Sequence, residues 1–233
     1  MTPDAARAQQ TALRGLVSLA DGFGPIRTVA GVDLSLNDDK NEGHALVVVL
    51  SFPDFQIVEA QYATAPLLMP YISGLLSFRE TPVVLEAFAR LQTVPDVIFV
   101  DGQGQAHPRG FGIACHLGVL LDVPTVGVAK SRLYGEFDAA DLPETPPASV
   151  PLFDRARRHE IGSVVRTKAR TNPLFISPGH KVSVDSATRL VLECVRGYRL
   201  PEPTRLAHNL ITDYKKTGTP PPLPSASPQS PLF

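Results

Sequence analysis

Two aspartates occupy positions where a carboxylate needs a partner. Asp33 lies within the largely apolar segment 30–35, and Asp101 directly follows the apolar run 97–100. Burying a carboxylate in such surroundings is costly unless it is paired or bound to a cation. On neighbouring strands, the two could hold Mg²⁺ through oxygen ligands and leave positions for water and phosphate. The alternative for either residue alone is an ordinary capping or turn aspartate.

Three further side chains could serve such a site. Glu80 precedes Thr81-Pro82, so it could join the two aspartates or simply favour the positive end of a helix that starts there. Lys130 follows the apolar run 125–128, where its ammonium could reach a phosphate, although exposed lysines are common on any surface. His107 lies six residues beyond Asp101.

Other catalytic classes lack their motifs. The chain has no HxxxH or CxxC spacing for zinc and no GxSxG context for a serine nucleophile. We expect His116 to pack inside a helix, and Cys115 and Cys194 to be buried thiols rather than a disulfide.

The elements that must position these residues change in type along the chain. Three β-rich segments (29–36, 45–51 and 56–63) are separated by turn-forming residues and predict an antiparallel meander. A helix–strand–helix–strand alternation then follows at 82–91, 97–100, 112–121 and 125–128. This order predicts an α/β fold, in which a mixed sheet with an antiparallel three-strand meander followed by parallel strands is flanked by helices.

The rest of the chain adds smaller elements. We predict helices at 3–20, 184–195 and 206–215, a hairpin of 163–167 with 174–177, and a proline-rich excursion at 143–151. Residues 1–216 are expected to form a single domain. The proline-rich tail 217–233 is expected to be disordered or extended.

Bulk composition restricts the class of protein. Of 233 residues, 43% are hydrophobic and 19% charged, with a net charge of −1, as in a packed globular chain. No apolar run approaches a membrane span and no signal peptide is visible, so we expect a cytosolic protein without a membrane partner. No unused amphipathic stripe calls for a partner, so we expect a monomer. A basic stretch between Arg155 and Arg170 could grip a phosphate backbone or be a solvated face.

Six motifs occur together in a fixed order. They are Gly-Val-Asp-Leu-Ser at 31–35, Pro-Tyr-Ile-Ser-Gly-Leu-Leu-Ser-Phe-Arg-Glu at 70–80, Asp-Gly-Gln-Gly-Gln-Ala-His-Pro-Arg at 101–109, Pro-Thr-Val-Gly-Val-Ala-Lys-Ser-Arg-Leu at 124–133, Ser-Pro-Gly-His at 177–180 and Arg-Leu-Ala-His at 205–208. The ordered set resembles the endonuclease V family of deoxyinosine-directed repair nucleases, which have a ribonuclease H-like fold. The resemblance covers roughly residues 5 to 212.

The resemblance implies a chemistry. Asp33 and Asp101 would ligate Mg²⁺ or Mn²⁺, and Glu80 would complete the acidic site. Lys130 would neutralise charge near the scissile phosphate, while His107 and His208 match family positions near the site. The family cuts the second phosphodiester on the 3′ side of inosine and leaves 3′-hydroxyl and 5′-phosphate ends. Whether DNA or RNA carries the preferred inosine stays open.

The resemblance also implies base extrusion. Pro70, Tyr71, Ile72 and Ser73 match a strand-separating wedge, in which Ser73 replaces the family's second proline and should loosen the loop. The matching pocket for the flipped base consists of backbone around Leu76, Gly102, Gly112 and Gly127. Each glycine could instead serve a tight turn.

Two other functions remain compatible with the elements. One is a structure-specific resolvase with a related fold, against which the wedge and glycine pocket count. The other is a non-catalytic nucleic-acid-binding module, against which the intact Asp33, Glu80, Asp101 and Lys130 count.

Overall fold

The structure, a computed structural model, describes residues 2–220 and contains one large sheet. The strands are β1 (Thr28–Asn37), β2 (Glu42–Ser51), β3 (Ile57–Pro66), β4 (Val97–Val100), β5 (Thr125–Ala129), β6 (Ala148–Phe153), β7 (Glu160–Arg166) and β8 (Leu174–His180). The helices are α1 (Pro3–Arg14), α2 (Leu76–Phe88), α3 (Ile113–Leu121), α4 (Val184–Glu193) and α5 (Glu202–Thr217), with a 3₁₀ turn at Ala139–Asp141.

All eight strands join in the order β3-β2-β1-β4-β5-β8-β7-β6. Strands β1, β2 and β3 form the predicted antiparallel meander, and β4 and β5 add to β1 in parallel. A second antiparallel run, β8-β7-β6, continues from β5 and contains the predicted hairpin. The predicted mixed sheet is confirmed.

Each face of the sheet carries its own layer of helices. Successive strand residues point to opposite faces, so Val29 and Leu46 pack with α4 and α5, whereas Ala30 and Val47 pack with α2 and α3. The central strand β4 is buried on both faces along its whole length. This accounts for its continuous apolar sequence.

The bounds of α1 and α2 differ from the predicted ones. Helix α1 ends at Arg14, not at residue 20, because Gly15 caps it and the following Leu16 and Leu19 remain exposed instead of continuing a buried stripe. Helix α2 starts at Leu76, not at residue 82, so Pro82 lies inside it. Burial of Phe78 and other residues in the first turns outweighs the hydrogen bond that proline removes.

Two further differences involve prolines. Strand β6 occupies residues that we predicted as a proline-rich excursion; Pro151 is tolerated because β6 is an edge strand and need not donate on its open side. Helix α5 starts four residues earlier than predicted, with Pro201 as its N-cap and Pro203 in its first turn, where proline loses no helical hydrogen bond.

The sequence also led to expectations for the cysteines, for membrane-spanning segments and for the C-terminal tail. Cys115 and Cys194 are free and buried, as expected. Within residues 2–220, no helix is long and apolar enough to cross a membrane. The predicted tail begins at Thr217, which is the last residue of α5, and its remainder from 221 to 233 lies outside the described residues.

Candidate active site

The register of the sheet brings Asp33 and Asp101 together. The parallel pairing of β1 with β4 ends at Val32 opposite Val100, and the Asp101 amide donates to the Val32 carbonyl at 3.1 Å. Asp33 and Asp101 therefore each follow directly after the last residue pair of the β1–β4 ladder. Asp33 is 7% exposed although it is charged, which is unusual for an aspartate without a strong partner.

A histidine and a lysine reach the two aspartates from other elements. His208 of α5 has its Nδ1 atom 2.8 Å from Asp33 Oδ2, and Lys130, just after β5, contacts Asp101 through its ammonium. The Lys130 ammonium is also 3.5 Å from His208 Nδ1. The four side chains thus form one connected polar cluster.

Close packing of α5 on β1 makes the histidine contact possible. A Cβ atom on Gly31 would lie 1.9 Å from the Pro203 carbonyl oxygen, so any larger residue would push α5 away from the strand. Gly31 lies two residues before Asp33, and Pro203 lies near the start of the helix that carries His208. The glycine in the first motif therefore sets the depth at which the helix sits.

Glu80 lies in the second turn of α2 and lines the same cavity as the two aspartates. Its position inside the helix removes the alternative that it is a helix-start residue. Burial raises the pKa of its carboxyl to about 7; Arg79 opposes this, while the charges of Asp33 and Asp101 add to it. In the metal-free chain, the Glu80 carboxyl therefore gains or loses its proton near neutral pH.

The carboxylates are crowded as well as buried. The pKa of Asp33 is raised, chiefly by burial and then by the charge of Asp101, with the hydrogen bond from His208 acting in the opposite direction. Ligand atoms of Asp33, Asp101 and His208 all lie within 4.8 Å of one another. Asp33 and Asp101 offer the oxygen ligands that a hard divalent cation prefers, and such a cation would relieve their repulsion, so these two residues fit a metal. The third member of this group is His208, whereas the sequence predicted Glu80.

The cavity around these residues has a volume of about 530 Å³. Its walls are formed by Asp33, Leu34, Ser35, Glu80, Asp101, Lys130, His208, Ile211, Thr212 and Lys215. Sequence reasoning missed Thr212 and Lys215. They follow His208 at helical spacings of four and seven, which places all three on one face of α5 and could have identified them. Lys215 adds a second cation to the carboxylate cavity.

His107 does not join this cluster. It is 5% exposed and lines a separate cavity with Arg14, Arg109 and Arg158. Burial, with help from the neighbouring Arg109, lowers the pKa of His107 to about 4, so the ring is neutral at physiological pH.

The predicted wedge forms an exposed loop with a buried base. Tyr71 is 68% exposed, whereas Ile72 packs against a small cluster that contains Met69 and Leu75. The carbonyl of Gly74, at the end of the loop, accepts hydrogen bonds from Gln10 at 3.1 Å and from Arg109. Arg109 and Gln10 were not predicted; they anchor the loop that presents Tyr71.

Three glycines of the predicted base pocket meet around the loop after β4. A Cβ atom on Gly112 would lie 2.2 Å from the Gln103 carbonyl oxygen, and one on Gly127 would lie 2.5 Å from the Gly104 nitrogen. On Gly102 it would meet the Ile113 side chain at 2.6 Å. Packing of the chain on itself therefore requires these glycines, independently of any ligand. Leu76, the fourth predicted residue, begins α2.

The basic stretch separates into two surfaces. Arg158 lines the cavity that contains His107, and Arg155 lies over the Tyr134 ring at 5.3 Å. Lys168 lies on a different surface, near Tyr198. The Arg166 guanidinium donates hydrogen bonds to the carbonyls of Pro143 and Thr171, so it stabilises the loops that contain them.

Comparison with known proteins bears on the whole chain. The family model of Endonuclease V matches residues 11–209. An Endonuclease V from Nostoc sp. is 47% identical over 214 residues, which are 91% of this chain and 95% of the relative.

Solved structures share the fold. The Endonuclease V of Streptomyces avermitilis superposes with a TM-score of 0.86 at 38% identity, covering 93% of this chain and 94% of that one. The Ciona intestinalis Endonuclease V, solved with DNA that contains an inosine followed by a ribo-adenosine, gives a TM-score of 0.80 at 25% identity, covering 93% and 98%. The chain belongs to the Endonuclease V family, whose members are metal-dependent endonucleases with a ribonuclease H-like fold.

Proposed function

We propose that this chain recognises deoxyinosine in DNA and hydrolyses the second phosphodiester on its 3′ side in a Mg²⁺-dependent reaction. The products would carry 3′-hydroxyl and 5′-phosphate ends. The observation that carries the proposal is the cluster of Asp33, Glu80, Asp101, Lys130 and His208 in one cavity. The Ciona relative, which was solved with inosine-containing DNA, supports the substrate.

The carboxylates provide the metal ligands. Asp33 and Asp101 would hold the ion, with Glu80 completing the acidic site directly or through water. A bound Mg²⁺ supplies Lewis-acid stabilisation of charge on the phosphate and a lowered pKa for an attacking water; Mn²⁺ has the same preference for oxygen ligands.

The remaining side chains handle charge and protons. The Lys130 ammonium, already beside Asp101, is available to neutralise a phosphate oxygen in the same cavity. The Glu80 carboxylate lines the same cavity, where it can accept a proton from water. His208 hydrogen-bonds Asp33 and so fixes the orientation of that carboxylate.

Base recognition requires extrusion of the nucleotide. We propose that Pro70, Tyr71, Ile72 and Ser73 act as the wedge, since the exposed Tyr71 ring can fill the gap left by an expelled base. Backbone groups around Leu76, Gly102, Gly112 and Gly127 would contact the flipped hypoxanthine. His107 would support the wedge loop instead of acting at the carboxylates. The Arg109 amide donates to His107, and the Arg109 guanidinium donates to the Gly74 carbonyl at the end of the wedge loop.

The test is incision of a labelled oligonucleotide that contains one deoxyinosine, with Mg²⁺ or with EDTA. Native chain should cut only with the metal, and Asp33→Ala and Asp101→Ala should be inactive. Asp141→Ala, at an exposed aspartate outside the cavity, is the control and should cut normally. Activity that persists in both site variants would reject the metal-site assignment.

Two properties of the proposed enzyme can be measured with the same material. The DNA bound to the Ciona relative contains an inosine followed by a ribo-adenosine, so inosine in RNA should be compared with deoxyinosine in single- and double-stranded DNA. We propose that the chain acts as a monomer, which light scattering of the free protein and of its DNA complex would test.

A further inference from the structure

An exposed tyrosine on the surface has two cations over its ring. The Tyr198 side chain is 52% exposed, the Arg205 guanidinium lies 4.4 Å from its ring centroid, and the Lys168 ammonium lies 5.9 Å from it. We call these three residues the Tyr198 platform. None of them lines the carboxylate cavity.

Hydrogen bonds to a buried carboxylate hold one side of the platform in place. Glu202, which is buried, accepts two hydrogen bonds from Arg205, at 2.8 Å from Nε and 2.6 Å from a terminal nitrogen, and this fixes the guanidinium plane. Glu202 also neutralises the Arg205 charge. Lys168 is exposed and makes no ion pair with any residue between 2 and 220, so its charge is available to an anion.

Side-chain hydrogen bonds connect the segment after Tyr198 to the Lys130 backbone and to Thr167. Arg199, the residue after Tyr198, donates to the Lys130 carbonyl at 2.8 Å, and its own carbonyl accepts from the Thr167 hydroxyl at 2.5 Å. Arg205 lies three residues before His208, on the same side of α5. The platform is therefore linked through Arg199 to the Lys130 backbone, and Arg205 lies one helical turn before His208.

We propose that the Tyr198 platform binds an unpaired nucleotide of the cleaved strand next to the scissile phosphate. The base would stack on Tyr198, and Lys168 would pair with a phosphate. Every base has a π face, so such stacking tolerates any sequence. The proposal rests on the proposed nuclease function and extends it, because it gives the enzyme a grip on the strand outside the wedge and the base pocket.

The first test measures affinity without cleavage. Anisotropy of a fluorescent, unmodified single-stranded oligonucleotide in EDTA is compared for native chain, Tyr198→Ala and Tyr198→Phe. Removing the ring should weaken binding about 5-fold or more, while Tyr198→Phe should stay within about 2-fold of native. Lys168→Ala should lower the slope of log affinity against log salt by about 0.7, the value for one lost single-strand phosphate contact.

The second test places the platform on the substrate. Incision of a deoxyinosine strand is measured with the flank beyond the cut either single-stranded or paired. Tyr198→Ala should raise KM with the single-stranded flank and have a smaller effect with the paired flank.

Equal affinity of Tyr198→Ala and native chain for the single strand, with an unchanged salt slope for Lys168→Ala, would overturn the platform. If native chain fails to incise deoxyinosine, the proposed function fails, but the anisotropy test still decides the platform.

Discussion

Replacing Glu80 by glutamine removes one of three crowded carboxylates while keeping the shape of the side chain. In the metal-free folded chain, burial and the charges of Asp33 and Asp101 raise the pKa of Glu80 from 4.5 to about 7. Between these two values the folded chain holds a proton that the unfolded chain has lost. Stability should therefore fall as the pH rises through this window, and the full penalty is present above pH 7.

The size of the effect follows from the two pKa values. The gap between 4.5 and about 7 corresponds to roughly 3 kcal/mol. Without metal, Glu80→Gln should therefore be more stable than the native chain by up to about 3 kcal/mol at pH 8 and nearly equal to it at pH 4.5. The same variant should have lost most of its nuclease activity, so stability and activity change in opposite directions.

The assay is urea unfolding in EDTA at several pH values between 4.5 and 8. Glu86→Gln is the matched control, because Glu86 lies on the exposed side of the same helix and its replacement should leave the pH dependence unchanged. Adding Mg²⁺ should stabilise the native chain more than Glu80→Gln. Parallel stability curves for native chain and Glu80→Gln across this pH range would refute the argument.

Three further changes test separate parts of the account. Tyr71→Ala should lower incision of double-stranded substrate about 10-fold more than that of single-stranded substrate, with Tyr71→Phe near native, and equal losses on both would contradict a wedge. Lys130→Met should slow single-turnover incision about 100-fold, and a loss below 3-fold would remove Lys130 from catalysis. Gly31→Ala should destabilise the fold by about 3 kcal/mol in urea unfolding, because its Cβ would meet the Pro203 backbone; an unchanged midpoint would show that α5 can move.

Local patterns predicted most of the sheet because the apolar residues of a buried strand lie together in a short segment of sequence. The continuous apolar run before Asp101 indicated a strand buried on both faces, and β4 is one. The failures occurred where tertiary packing overrides a local signal. Pro82 indicated a helix start, but burial of Phe78 in the preceding turn extends α2 back to Leu76. Pro151 led to the prediction of a proline-rich excursion where β6 lies, because a proline is tolerated in an edge strand such as β6.

The site was predictable in part for a related reason. Asp33 and Asp101 each interrupt or end an apolar strand, so the cost of burying them identified them without further information. Glu80 needed the motif resemblance, and its helical position then removed the alternative role. His107 shared a motif with Asp101 but lines a different cavity, because closeness in sequence does not fix the direction of a loop side chain. Lys215 was missed although it lies seven residues after His208 on the same face of α5; its place in the cavity depends on the docking of that helix over Gly31.

The most direct test of the central claim is the position of the cut. A 5′-labelled strand with a single deoxyinosine is incubated with native chain and Mg²⁺, and the product is compared with length standards. We expect one product that ends with a 3′-hydroxyl one nucleotide beyond the lesion, and no product with EDTA or with Asp101→Asn. Incision of the matched adenine-containing strand at the same rate, or incision in EDTA, would contradict it.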